Sequence, residues 1–125
     1  MVDISKQIQY WKDAAVEDWD VAKQLLDIGK TRYALFFVHL TLEKALKSLV
    51  CQKTNDLAPR MHNLNRLAEI AGLDISDHHT DVLSELMAFH IEGRYPDSLS
   101  EAPSKKEAME YFNRGQEVLQ WLMKQ

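Results

Sequence analysis

Two short stretches of this chain bring together side chains able to do chemistry. "EKALK", residues 43–47, sets Glu43 beside Lys44 and one helical turn before Lys47. "RYPD", residues 94–97, follows an apolar run and places Arg94, Tyr95 and Asp97 around Pro96, where a plain linker needs neither arginine nor tyrosine. His39, Glu43 and Leu46 are spaced as i, i+4 and i+7, so they share one face of a helix. Glu43 admits two readings. As the acid four residues before Lys47 it forms a helix salt bridge worth a few tenths of a kcal/mol. As a carboxylate in the middle of a helix that the pattern makes central, it needs a buried partner, and Arg94, Tyr95 or His62 can supply one.

Other chemistry finds little support. There is no G-x-x-x-x-G-K-[ST] loop, no H-E-x-x-H, no paired C-x-x-C and no serine nucleophile elbow. His78 and His79 are adjacent and point about 100° apart on a helix, while His39, His62 and His90 lie on other segments. That spacing gives no compact ligand set, so no metal and no cofactor are expected. Cys51 sits in an apolar run with nothing to lower its pKa, which argues against a nucleophile.

The elements that must position these residues are all helical. Ile4, Ile8, Trp11, Ala15, Trp19, Ala22 and Leu26 recur at spacings of three and four, with Asp3 to cap the start and Gly29 to stop the helix. "TRYALFFVHLTLEKALKSLVCQK" opens at Thr31, a plausible cap, and is apolar almost all round from Tyr33 to Val38, the mark of a central helix. Pro59 closes a turn-rich connection. A short helix follows, starting at His62 or Asn63 and ending at Gly72; another begins at Ser76 or Asp77 and is ended by Gly93 and Pro96. Ser104 with Glu107 forms a capping box for the last helix. No period-2 strand pattern appears. The expected fold is all-α: an antiparallel bundle of about five helices in one domain, residues 1–125.

A chain of 125 residues can close such a core without disulfide or metal staples. A single cysteine suggests a reduced, cytoplasmic setting; the N-terminus lacks a signal-peptide pattern, and the longest apolar run is too short to span a bilayer. Charge is uneven: residues 30–66 carry seven Lys/Arg against two acids, and both flanks are net acidic. The basic middle either attracts an anionic ligand or is neutralised by the flanking helices or across a dimer.

Taken together, "ALFFVHLTLEKALKSLV", "PRMHNLNRLAE" and the late "RYPD" resemble a HEPN (higher eukaryotes and prokaryotes nucleotide-binding) domain, of the branch found in small prokaryotic proteins. The resemblance covers nearly the whole chain, including the Trp11/Trp19 helix. The matching positions are Glu43, Lys44 and Lys47 in an E-K-x-x-K element, His62 and Leu64 in an H-x-L element, and Arg94-Tyr95-Pro96-Asp97. Their order and separation carry the likeness. The family often has Gln just before the Glu43 element, where this chain has His39-Leu40. The resemblance implies an antiparallel bundle that commonly dimerises, often encoded beside a minimal nucleotidyltransferase in a toxin–antitoxin-like pair.

Other HEPN branches are metal-independent ribonucleases with R-x(4–6)-H late in the fold. Here no histidine follows Arg94, and the formal match, Arg32 with His39, lies in the second helix, away from that position. The expectation is therefore a non-catalytic module that homodimerises and binds a nucleotide, an RNA or a nucleotidyltransferase partner. Its candidate ligand-binding set is Lys44, Lys47, His62, Arg94 and Tyr95, with Glu43, His39 and Asp97 as a structural polar network. The alternatives are a ribonuclease with a non-standard site, using His62 or His90 as acid/base and Arg94 to stabilise the transition state, or a purely structural dimerisation module.

Overall fold

The computed structural model describes residues 2–94 and 101–125, with the backbone alone for 91–94. Five helices and no strand are found among the described residues: α1 (Ile4–Asp27), α2 (Thr31–Thr54), α3 (Leu64–Ile70), α4 (Asp77–Arg94) and α5 (Lys105–Leu122). Four of the five begin at a side-chain cap, α2 being the exception. The Asp3 carboxylate accepts the Lys6 N–H, Asn63 accepts that of Arg66, and the Ser76 hydroxyl accepts that of His79. Ser104 and Glu107 bond reciprocally, satisfying two N–H groups that an uncapped end leaves open.

α1 and α2 form a tight antiparallel pair. At the end of α1, Gly29 takes φ +80°, a left-handed conformation that costs glycine little, and the Lys30 N–H closes back on the Leu25 carbonyl at 2.9 Å. Thr31 does not cap α2 as its type suggests. Lys30 occupies the cap position, and the Thr31 hydroxyl instead donates to the Pro103 carbonyl at 2.7 Å, tying the start of α2 to the segment before α5.

The pattern that makes α2 central is matched by its burial, for fifteen of its 24 residues are buried. It packs against each of the other four helices. Hydroxyls are tolerated inside it because Thr41 and Ser48 donate to carbonyls of their own helix. α5 crosses α2 so closely at Gly115 that an added Cβ would lie 2.7 Å from Val38 Cγ1. Trp19 of α1 stacks on Phe112 of α5 with ring centroids 4.3 Å apart. α4 runs through Gly93 to Arg94, so Gly93 does not stop it, and Tyr95, Pro96 and Asp97 lie outside the described residues.

Candidate functional site

Among the polar side chains that α2 buries is one carboxylate. Glu43 is buried, and its two oxygens are divided between two partners. Oε2 accepts from Lys47 Nζ at 3.1 Å, within α2; Oε1 lies 2.9 Å from His62 Nδ1, in the turn just before α3. An ionised carboxylate only accepts, so Nδ1 of His62 carries the proton of that bond and Nε2 is left for other use. Lys47 is itself buried, with its ammonium 5.1 Å from the centroid of the Trp11 ring. A buried carboxylate is tolerated only when charge and hydrogen bonds compensate it, and Lys47 and His62 supply both.

Of the three partners open to Glu43 in the sequence, His62 is the one the described side chains bring to it. Two more imidazoles join it. His39, one turn earlier on α2, has Nδ1 3.8 Å from Glu43 Oε1. His90, from α4, stacks on His62 with centroids 4.5 Å apart and planes 24° from parallel, and its ring lies 4.8 Å from that of His39. Phe36 extends the ring contacts at 5.7 Å from His90. The side chain of His62 is half exposed, so the cluster runs from the core to the surface. Placing these histidines on separate segments led to an expectation of dispersal. The fold gathers them, because α3 and α4 both pack on α2. One ligand atom each of Glu43, His62 and His90 lies within 4.8 Å of the others.

His39 is the least comfortable member. It is fully buried, and neither ring nitrogen has a hydrogen-bond partner of good geometry among the described residues. Leaving such a donor unsatisfied costs roughly 1–3 kcal/mol. Burial lowers its pKa from 6.5 to about 4; the nearby Glu43 charge opposes that shift, and His90 adds to it. His39 is therefore neutral near pH 7.

The remaining sequence candidates fall elsewhere. Lys44 points away from the cluster's carboxylate to Asp18 of α1, at 2.6 Å, so both lysines of the E-K-x-x-K element serve internal ion pairs. Asp18 was not singled out in the sequence, yet its position three after Ala15 and four before Ala22 sets it on the buried stripe of α1, and a charge there signals a partner. Arg94 ends α4, one turn past His90, and its side chain, like Tyr95 and Asp97, lies outside what the structure describes. Cys51 is buried, and burial pushes its thiol pKa up, contrary to what a nucleophile needs. His78 and His79 sit 3.9 and 3.7 Å from Glu117 of α5, with His78 and Glu117 open to solvent.

No helix is long and apolar enough to cross a membrane among the described residues. The arrangement around Glu43 thus offers a carboxylate-oriented imidazole, a platform of stacked rings, and a converging set of nitrogen and oxygen donors.

Known proteins show the same architecture. TT1696 from Thermus thermophilus, whose crystal structure is solved, is 23% identical and superposes with a TM-score of 0.79 over 94% of this chain and 97% of its own. ST0689, described as an archaeal HEPN homologue, is 22% identical with a TM-score of 0.72 over 93% of this chain and 94% of its own. At these identities the likeness is one of fold. No curated protein matches the sequence significantly. The HEPN domain family model matches residues 8–125, which include all five helices but the first turn of α1. With the Glu43 and His62 elements in contact inside that match, the chain belongs to the HEPN domain family.

Proposed function

We propose that this chain is a non-catalytic HEPN module that holds a nucleotide, or a nucleotide-bearing partner, at the edge where His62 and His90 meet. The stack of these two rings is the observation that carries the reading. His62 is half exposed, backed by His90 and Phe36, and fixed by its bond to Glu43. A rigid exposed ring is what an unpaired base stacks on, and histidine serves in this way. Arg94, one turn past His90 on α4, is the phosphate-binding group of this reading, with Tyr95 beside it in sequence. Lys44 and Lys47 leave the set, since their ammonium groups already hold Asp18 and Glu43.

A homodimer, a minimal nucleotidyltransferase partner and a toxin–antitoxin-like role belong to the same proposal, supported by family membership. Thermal-shift titration with millimolar ATP, GTP and UTP tests the ligand. A stabilisation lost in His62→Ala and Arg94→Ala supports it, and unchanged melting with all three removes it. Native pull-down tests the partner, and recovery of no nucleotidyltransferase removes that half.

The Glu43–His62 bond favours a second reading. A carboxylate that fixes the tautomer of a half-exposed imidazole is the arrangement of a general acid/base, here for metal-independent ribonuclease chemistry. Incubation with tRNA and single-stranded RNA in EDTA decides it. Cleavage abolished by His62→Ala supports the reading; no cleavage, or cleavage indifferent to His62→Ala, ends it.

A further inference from the structure

The donor atoms around Glu43 match a different class of ligand from a nucleotide. We propose that Glu43, His62 and His90 bind a divalent transition-metal ion, with zinc as the reference case. Two imidazoles and one carboxylate, with a fourth position left open, make up the protein side of a known type of zinc centre. At metal–ligand distances of about 2.0–2.2 Å, tetrahedral ligand atoms lie roughly 3.3 Å apart. His62 Nδ1 and Glu43 Oε1, 2.9 Å apart, are already near that spacing, and all three donors lie within 4.8 Å. Closing the remainder turns the His90 ring out of its stack on His62, because both nitrogen lone pairs must then point at one ion.

Two further observations favour an ion over a simple His–Glu hydrogen bond. Lys47 holds Oε2 of Glu43, which turns Oε1 towards the imidazoles, as groups around a metal ligand commonly do. His39, fully buried and 3.8 Å from that same oxygen, has no hydrogen bond of good geometry at either ring nitrogen among the described residues, with the His62 backbone as its other polar neighbour. A buried polar group left unsatisfied by the protein marks a site that something else completes.

On metal binding, the Nδ1 proton of His62 moves to Nε2, the His62–Glu43 hydrogen bond is lost, and the ion takes its place between the two. Imidazole and carboxylate donors suit zinc, nickel or copper, whereas magnesium prefers an all-oxygen shell. The Lys47 ammonium works against a dication, so the expected affinity is moderate.

This inference shares residues with the proposed nucleotide edge and does not rest on it, because its probe is a bare ion. The full chain, stripped with chelator, is titrated with Zn²⁺ by calorimetry and with Co²⁺ by visible absorption. The expected result is one ion per chain, the ligand-field bands of four- or five-coordinate Co²⁺, and no response to Mg²⁺. His62→Ala and His90→Ala each weaken binding by at least about tenfold, the loss that removing even an outer-shell group causes. The paired His78→Ala and His79→Ala changes leave it unaltered. Circular dichroism establishes that each variant is folded, and His62→Gln and His90→Gln replace any alanine variant that is not. No binding by the unaltered chain overturns the proposal. So does binding that survives both the His62 and His90 variants, or that disappears with His78 and His79, which would make it an adventitious ion on the surface. A chain that binds Zn²⁺ and no nucleotide refutes only the nucleotide reading, and the reverse result refutes only this one.

Discussion

Among the described residues, two groupings set histidine around glutamate, and they differ in nearly everything except composition. Around Glu43 the carboxylate is 5% exposed, and its partners come from α2 and from the turn before α3. Around Glu117 the carboxylate is 58% exposed, and the histidines, adjacent on α4, approach no closer than 3.7 Å. In water an ion pair gains little over its hydrated parts; in the core a lone charge is so costly that every partner must be placed. The first grouping is therefore built into the fold, and the second rests on it.

The largest expected effect breaks the buried grouping. Glu43→Ala leaves Lys47 charged and unpaired in the core, and we expect a loss of about 3–5 kcal/mol, read by urea denaturation. Adding Lys47→Met should recover much of that loss. Persistence of the full deficit in the double variant would show that the bond to His62, rather than the ion pair, is the main contribution.

The next effect is one of pH. The folded-state pKa of His39 lies at about 4 against 6.5 for the free side chain. Between those values the unfolded chain binds a proton that the folded chain does not, so stability falls as pH falls through that window. The total is about 3 kcal/mol for one group, approached near pH 4 and absent above pH 6.5. Denaturation midpoints of the unaltered chain and His39→Gln, measured in chelator at pH 7 and pH 4.5, should converge towards acid. Parallel slopes would mean that His39 makes no contribution to acid sensitivity.

A smaller effect lies between the two groupings. Lys44, partly exposed, pairs with the buried Asp18 and joins α1 to α2, so Lys44→Met should cost about 1 kcal/mol. The smallest belongs to the surface: Glu117→Gln should change stability by less than about 0.5 kcal/mol. A larger loss there would remove the contrast between the two groupings.

These differences also explain what the sequence made legible. The starts of α1, α3, α4 and α5 were readable, for α3 and α4 to within one residue, because each rests on a cap within four positions: Asp3, Asn63, Ser76 and the Ser104–Glu107 box. The central place of α2 followed from its all-round apolar pattern. The contact of Glu43 with His62 was within reach as one of three candidates, since a carboxylate in a buried helix demands a partner. The gathering of His39 and His90 was not legible, because it depends on how α4 packs on α2, and no local spacing encodes that register. Lys44 misled for a related reason. Its neighbour in the motif suggested shared work on one ligand, whereas adjacent helix positions face different elements, and Lys44 faces α1. Thr31 looked like a cap because the residue type fits one; its hydroxyl is taken by a carbonyl 72 positions away.

The position of α2 among all the other helices has a consequence for how the chain opens. α1 packs on α2 and, more lightly, on α5, while α3 packs on α2 and α4. Detaching α1, or α3 with α4, leaves α2 covered on its remaining sides, but α2 cannot be uncovered without undoing every interhelical seam that involves it. Amide hydrogens in the middle of α2 should therefore exchange with solvent only through global unfolding, and those near the start of α1 through much cheaper local openings. The residues around Glu43 then sit on the slowest-exchanging segment of the protein, while His62, in its turn, sits on one of the faster. Whatever binds at this edge meets one fixed wall and one that can yield.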